Sequence, residues 1–356
     1  MNFNQDYTCV SIADFKGIKI YSLVTHKLCY VADIGAVSIA EMLECTSLMA
    51  FVGAGEQPAL TPRKLTLMNT TTQSVIQDLS FPSSVLAVRV NRKRLIAVLE
   101  RRVYVHALET LELLGTLDTA PNPKGVCALT ICSEPCLVAL PSSTTDGTLR
   151  IYNLLAAGGN VLCEIAAHKS QVATMCWNHD GSLLASASVK GTVLRVHRLP
   201  QAAKAFTFRR GTYPAPIHSL AFSPASVQPP LLCAASGHGT VHLFRLEEPD
   251  RQLAVSTASG ILANVFPAAM ADVVDPPRCI ATVRLPCQGV PAICAIHAAS
   301  RQNGGGAEGK ADSDAVSVVV ATADGILYEY YVHNLQSRPT CALEQECLLL
   351  RNAMDS

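Results

Sequence analysis

One short pattern recurs along most of the chain and limits what it can fold into. An apolar strand leads into a turn, usually with a glycine, and a second strand follows that ends in aromatic or aliphatic residues. Copies occupy residues 9–21, 95–105, 136–152, 183–196, 232–244 and 318–330. Each reads as a hairpin, because alternating apolar residues suit a pleated strand and the tight turn favours a residue tolerant of positive φ. The copies recur every ~40–60 residues, and a unit of about four strands at that period is the signature of a β-propeller. At ~50 residues per unit the 356 residues give about seven blades. The predicted fold is therefore all-β, a single seven-bladed propeller over residues 1–356 with divergent repeats. Blade 2 is the least legible, somewhere within 36–82. Hydrophobic residues make up 49% of the chain and charged residues 16%, which excludes a disordered polymer.

Two stretches break the period. Residues 247–277 read as an insertion between two strands of blade 6, and residues 300–314, rich in glycine and polar residues, read as a disordered loop in blade 7. Residues 252–271 carry no charge but hold serine, threonine, asparagine, glycine and proline, too polar for a spanning helix of about 20 apolar residues. If that segment becomes helical, Ile261, Leu262, Val265 and Phe266 fall on one stripe, a face suited to lying in a membrane interface.

Charge is distributed unevenly. The formal net charge is zero, which argues against whole-molecule attraction to nucleic acid. Yet residues 181–246 contain no Asp or Glu, while holding Lys190, Arg195, Arg198, Lys204, Arg209, Arg210 and Arg245. With 28 acids in 356 residues, about five belong in a window of that length. An unopposed positive region of this kind suits anionic groups, phosphate first. At its centre lies Phe208-Arg209-Arg210-Gly211. In an extended segment the two arginines point to opposite sides, one toward blade 5 and one toward blade 6. The hairpins of those blades align on their Gly-Thr pairs, which matches Ser188 with Ser236 and Thr192 with Thr240; Arg195 and His242 follow. Guanidinium forks, hydroxyls and an imidazole supply the donors a phosphomonoester needs. Two anion sites side by side are the expectation.

Other chemistry finds no support in the pattern. The 14 cysteines are scattered with no Cys-x-x-Cys pair, and the first residues lack a secretory signal, so reduced, buried cysteines in a cytosolic protein are expected. The ten histidines show no metal spacing, and no nucleophile elbow, P-loop or paired-acid arrangement is present, so no metal, no cofactor and no enzyme activity are expected. Asp146-Gly147 and Asp324-Gly325 read as hairpin turns, and Trp177 as a core residue.

At this point the residues resemble a family. Ala167-His168-Lys169-Ser170, the hairpin 185–196, Phe208-Arg-Arg-Gly211 and Ile217-His-Ser-Leu-Ala-Phe-Ser223 are similar to the signature of the PROPPINs. These are seven-bladed phosphoinositide-binding propellers of autophagy. The resemblance is close over 166–246 and looser elsewhere, and the Trp-Asp pair of WD repeats is missing. It implies binding of phosphatidylinositol 3-phosphate and 3,5-bisphosphate at two sites. Arg209 would serve one with Ser188, Thr192, Arg195 and His168, and Arg210 the other with Ser236, Thr240 and His242. It also implies membrane insertion through the blade 6 loop and autophagy partners docking on the early blades. The protein would be a monomer in solution, peripherally recruited from the cytoplasm to preautophagosomal, endosomal or vacuolar membranes. A scaffold propeller binding an acidic peptide is the alternative.

Overall fold

The computed structural model describes residues 1–156, 159–247, 276–300 and 311–350. Seven four-stranded antiparallel sheets follow one another, each with its strands in sequence order. Blade 1 comprises Asn2–Phe3, Cys9–Ala13, Ile18–Ser22 and Lys27–Ala32; blade 2, Val37–Met42, Leu48–Gly53, Lys64–Asn69 and Ser74–Ser80; blade 3, Ala87–Val90, Arg94–Val98, Arg102–Ala107 and Leu113–Asp118. Blade 4 comprises Ala128–Leu129, Leu137–Pro141, Gly147–Asn153 and Asn160–His168; blade 5, Val172–Trp177, Leu183–Ser188, Val193–Arg198 and Ala203–Arg209. Blade 6 holds Ile217–Phe222, Leu231–Ser236, Thr240–Arg245 and Ala281–Arg284, and blade 7 Ala292–Ser300, Ala311–Thr322, Ile326–His333 and Thr340–Leu348. The predicted seven-bladed propeller is the fold of the protein.

Burial explains why the repeat was visible. Second strands are covered on both faces by the neighbouring blades. Leu231–Ser236 and Leu137–Pro141 are buried at every residue, so they read as unbroken apolar runs. Outer strands face solvent, as in Ser74–Ser80, where only Leu79 is buried. The core is accordingly distributed. A cluster of buried side chains fills the space between each pair of adjacent blades, including one between blades 7 and 1 built from Val10, Ile12, Tyr21, Leu23, Val319, Ala321 and Leu327. First strands surround a central cavity of about 240 Å³, lined among others by Glu41, Arg89, Cys176, His218 and Cys294.

The expected turns and core residues take their places. Asp146 accepts hydrogen bonds from the Thr148 amide at 2.9 Å and hydroxyl at 2.6 Å, tightening a hairpin. Trp177 is buried and its indole donates to Ala128 O at 3.1 Å. All 14 cysteines are free thiols, although only Cys127, Cys136, Cys233 and Cys294 are buried. The glycine-rich loop of blade 7 is shorter than the expected 300–314: Ser300 pairs with Ala311 across two strands, because the flanking residues extend the ladder. Its remainder, 301–310, lies outside the described residues. So does most of the 247–277 insertion, with Ile261, Leu262, Val265 and Phe266.

Candidate functional site

The two hairpins of the basic window close in the same way. In blade 5 the Gly191 amide donates to Ser188 O at 2.9 Å, and in blade 6 the Gly239 amide donates to Ser236 O at 3.0 Å. Both glycines have positive φ, 60° and 68°, the left-handed region that a Cβ disfavours. Ser188 and Ser236 are both buried at the ends of their strands. Thr192 and Thr240 follow the turns, so two like tips stand side by side at the rim.

Register fixes where the arginines lie. In blade 5, Val193 pairs with Arg209 and Arg195 with Thr207, while Ser186 pairs with Arg195. Directly paired residues share a face, and residues two apart on a strand share it too. Arg209, Arg195, Ser186 and Ser188 therefore occupy one side of the sheet, and Arg210 continues on the other. Arg195 reaches across to blade 4, where its Nη1 donates to Ala167 O at 2.6 Å, beside His168. His168 Nε2 and Ser186 Oγ are 2.9 Å apart. Arg195 and His168 thus meet in the seam between blades 4 and 5, below the hairpin tip that carries Ser188 and Thr192.

Arg210 is oriented by main-chain carbonyls. Its Nε donates to Gly191 O at 2.8 Å and its Nη2 donates to Tyr213 O, while its amide donates to Thr192 O at 2.9 Å. On the blade 6 side, His242 Nε2 lies 3.1 Å from Thr240 Oγ1, and Nδ1 lies 3.3 Å from Thr282 Oγ1. Ser236 pairs directly with Thr240. The Arg209 amide donates to Pro277 O at 3.0 Å, so the chain returning from the blade 6 insertion docks against the arginine pair.

The electrostatics agree with this arrangement. His168 and His242 are both held down at about 4, first by burial and then by a neighbouring guanidinium, Arg195 and Arg210 respectively. Both imidazoles are therefore neutral at neutral pH and the positive charge belongs to the arginines. His197, also at about 4, reports the same field: burial first, then Arg195 and Lys204. Among the described residues no group of three or more His, Cys, Asp or Glu is placed to hold a metal ion. No helix among them is long and apolar enough to cross a membrane.

Sequence reasoning missed Thr282, Pro277 and the two carbonyls that hold Arg210. Thr282 and Pro277 return from a long insertion, and carbonyl positions depend on loop geometry, so no local pattern marks them.

Fold and site define a class: a seven-bladed propeller with a cationic, hydroxyl-lined rim shared by blades 5 and 6. Comparison with known proteins gives the family. A family model described as PROPPIN matches residues 1–346, and the chain belongs to that family. It is 37% identical to Autophagy-related protein 18b of Arabidopsis thaliana over 347 residues, covering 97% of this chain and 94% of that one. Among solved structures, Kluyveromyces lactis Hsv2 matches with a TM-score of 0.74 at 16% identity, covering 98% of each chain. A complex of KlAtg21 with the coiled coil of AgAtg16 matches with a TM-score of 0.70 at 23% identity, again over 98% of each chain.

Proposed function

We propose that this propeller is a phosphoinositide effector of autophagy that binds phosphatidylinositol 3-phosphate and phosphatidylinositol 3,5-bisphosphate through two rim sites. One site uses Arg209, Ser188, Thr192, Arg195 and His168; the other uses Arg210, Ser236, Thr240 and His242. The observation that carries the reading is the split of the arginine pair. Arg209 lies on the face of blade 5 that holds Arg195, while Arg210 faces away and acts electrostatically on His242 of blade 6. Each site then has a guanidinium fork, hydroxyls and a neutral imidazole that can donate one hydrogen bond. The acid-free window leaves both unopposed by local carboxylates in sequence.

One headgroup contact is weak, and two on one rigid rim act together through effective concentration. Insertion of Ile261, Leu262, Val265 and Phe266 adds a third attachment in this reading; it is supported by the root of their segment, where Pro277 O meets the Arg209 amide. Recruitment is peripheral, from cytoplasm to autophagic or endosomal membranes, and the role is binding, not catalysis. Protein partners of autophagy dock on the early blades. Exposed Val75 and Ile76 on blade 2 and Leu113 and Leu114 on blade 3 favour that location, and the coiled-coil complex of the KlAtg21 relative favours a protein partner as such.

Vesicle co-sedimentation across all phosphoinositides tests the proposal, beside an Arg209→Thr/Arg210→Thr variant. Selective pelleting with the 3-phosphate and 3,5-bisphosphate, lost in the variant, is the expected result. Pelleting with any anionic lipid regardless of the arginines, or none at all, moves the function to a protein scaffold that holds an acidic peptide.

A further inference from the structure

The segment that follows the arginine pair, Gly211-Thr212-Tyr213-Pro214-Ala215-Pro216, bridges the two hairpin tips. On the blade 5 side, the Ala215 amide donates to Lys190 O at 3.1 Å. On the blade 6 side, the Gly237 amide donates to Pro216 O at 2.8 Å. Between these anchors the Arg210 guanidinium donates to the Tyr213 carbonyl. Two prolines restrict the backbone further. The loop is therefore fixed at both ends and in the middle, yet Tyr213 has 79% of its surface exposed. An aromatic ring left in water on a pinned loop has no packing role in the fold. Val189, 42% exposed, stands beside Lys190 on the tip that the loop covers.

We infer that this loop is a membrane-contact element in its own right, with Tyr213 as an interfacial anchor seated between the two proposed headgroup sites and Val189 beside it. The inference rests on the phosphoinositide reading above. Its partner is the lipid interface itself, because continuity with the rim sites places Tyr213 where a bilayer carrying the bound headgroups must lie. Tyrosine suits that depth: the ring enters the acyl boundary while the hydroxyl remains among headgroups. The rigid loop loses little conformational freedom on docking, so ring burial is retained as affinity. Arg210 acquires a second role as a positioning residue that holds the tyrosine loop against the tip of blade 5.

The test uses the full chain and phosphatidylcholine vesicles carrying phosphatidylinositol 3-phosphate, in parallel with water-soluble inositol 1,3-bisphosphate. Tyr213→Ala is expected to weaken vesicle binding roughly tenfold and to leave the affinity for inositol 1,3-bisphosphate unchanged within about twofold. A Tyr213→Trp variant supplies an independent readout. Trp177, the only native tryptophan, is 3% exposed, so brominated acyl chains should quench only the introduced indole. Unchanged vesicle affinity of Tyr213→Ala, or an unquenched indole on bound vesicles, overturns the inference while leaving the headgroup sites standing. Equal losses for vesicles and soluble headgroup also overturn it, making Tyr213 a part of the headgroup site. If the wild type binds neither ligand, the phosphoinositide reading falls and this inference falls with it.

Discussion

Arg209 and Arg210 are adjacent in sequence and serve different faces, and the alternation that separates them was legible from extended geometry alone. The neutrality of His168, beside Arg195, and of His242, beside Arg210, was not, because it depends on burial. That burial makes acid sensitivity a property of the site. His168, His197 and His242 take up protons near 6.5 when unfolded and near 4 when folded. The stability they confer is complete above pH 6.5 and is lost as pH falls toward 4. Glu41 works in the opposite sense. Burial raises its carboxyl to about 7, so its contribution is complete below 4.5 and is lost as pH rises through 7. At pH 5 each histidine withdraws about 2 kcal/mol, and Glu41 returns about the same. Burial also lowers His218 and His297, which act in the same direction, so urea unfolding should show a net loss of at least roughly 4 kcal/mol between pH 7.5 and pH 5; a curve that is flat or rises would refute the buried neutral histidines. Gly211 gives a second test at this scale. A Cβ there meets nothing within 4 Å, so Gly211→Ala should change stability by less than about 0.5 kcal/mol. Weakened vesicle binding in that stable variant would assign the open space over Gly211 to ligand, and unchanged binding would remove it from the site.

Hairpins were readable wherever a strand is buried on both sides, because such strands carry unbroken apolar runs. First strands such as Asn2–Phe3 and Ala128–Leu129 span only two residues, too short to show any period. Blade 2 was obscure for a specific reason. Its second and third strands are joined by the long connection 54–63, which holds a 3-10 turn at Pro58–Leu60, in place of a tight hairpin turn. The tips of blades 5 and 6 are where the element and the site meet, and Gly191 shows it. At φ 60° a Cβ would lie 1.9 Å from Ala215 O, so neither the backbone nor the neighbour can accept one. Gly191→Ala should cost about 2–4 kcal/mol and push away the segment that carries Tyr213, weakening vesicle binding more than stability loss alone explains. Thermal melts with vesicle titration of the folded fraction separate the two effects; full vesicle affinity in the folded variant would detach the blade 5 tip from membrane contact.

The whole molecule closes without exchanging a strand. All four strands of blade 1 come from the first residues of the chain and all four of blade 7 from the last described ones. The seam is held by packing of Val10, Ile12 and Tyr21 against Val319 and Leu327. Among the described residues, three hydrogen bonds supplement it: His297 Nε2 with Tyr7 O at 2.8 Å, Tyr21 OH with Cys347 Sγ at 3.1 Å, and Lys19 Nζ to Leu350 O at 3.4 Å. At every other blade junction the chain itself also crosses, so a local opening there is limited by a covalent connection. The seam has no such limit and should be the first place the ring opens. Ile12 is 1% exposed, and Ile12→Ala should cost about 2–5 kcal/mol. Leu149→Ala, at an equally buried position between blades 4 and 5, should cost a similar amount. The two variants differ in how that loss is distributed. Hydrogen exchange in Ile12→Ala should accelerate in blades 1 and 7 well before blades 3 to 5, since sub-global opening exposes the least-connected unit first. Leu149→Ala should bring no such polarity. Because the proposed sites lie on blades 5 and 6, away from the seam, the folded Ile12→Ala protein should keep its vesicle affinity. Uniform exchange across all blades in Ile12→Ala would mean that the ring unfolds as one cooperative body, with closure as strong as any internal junction.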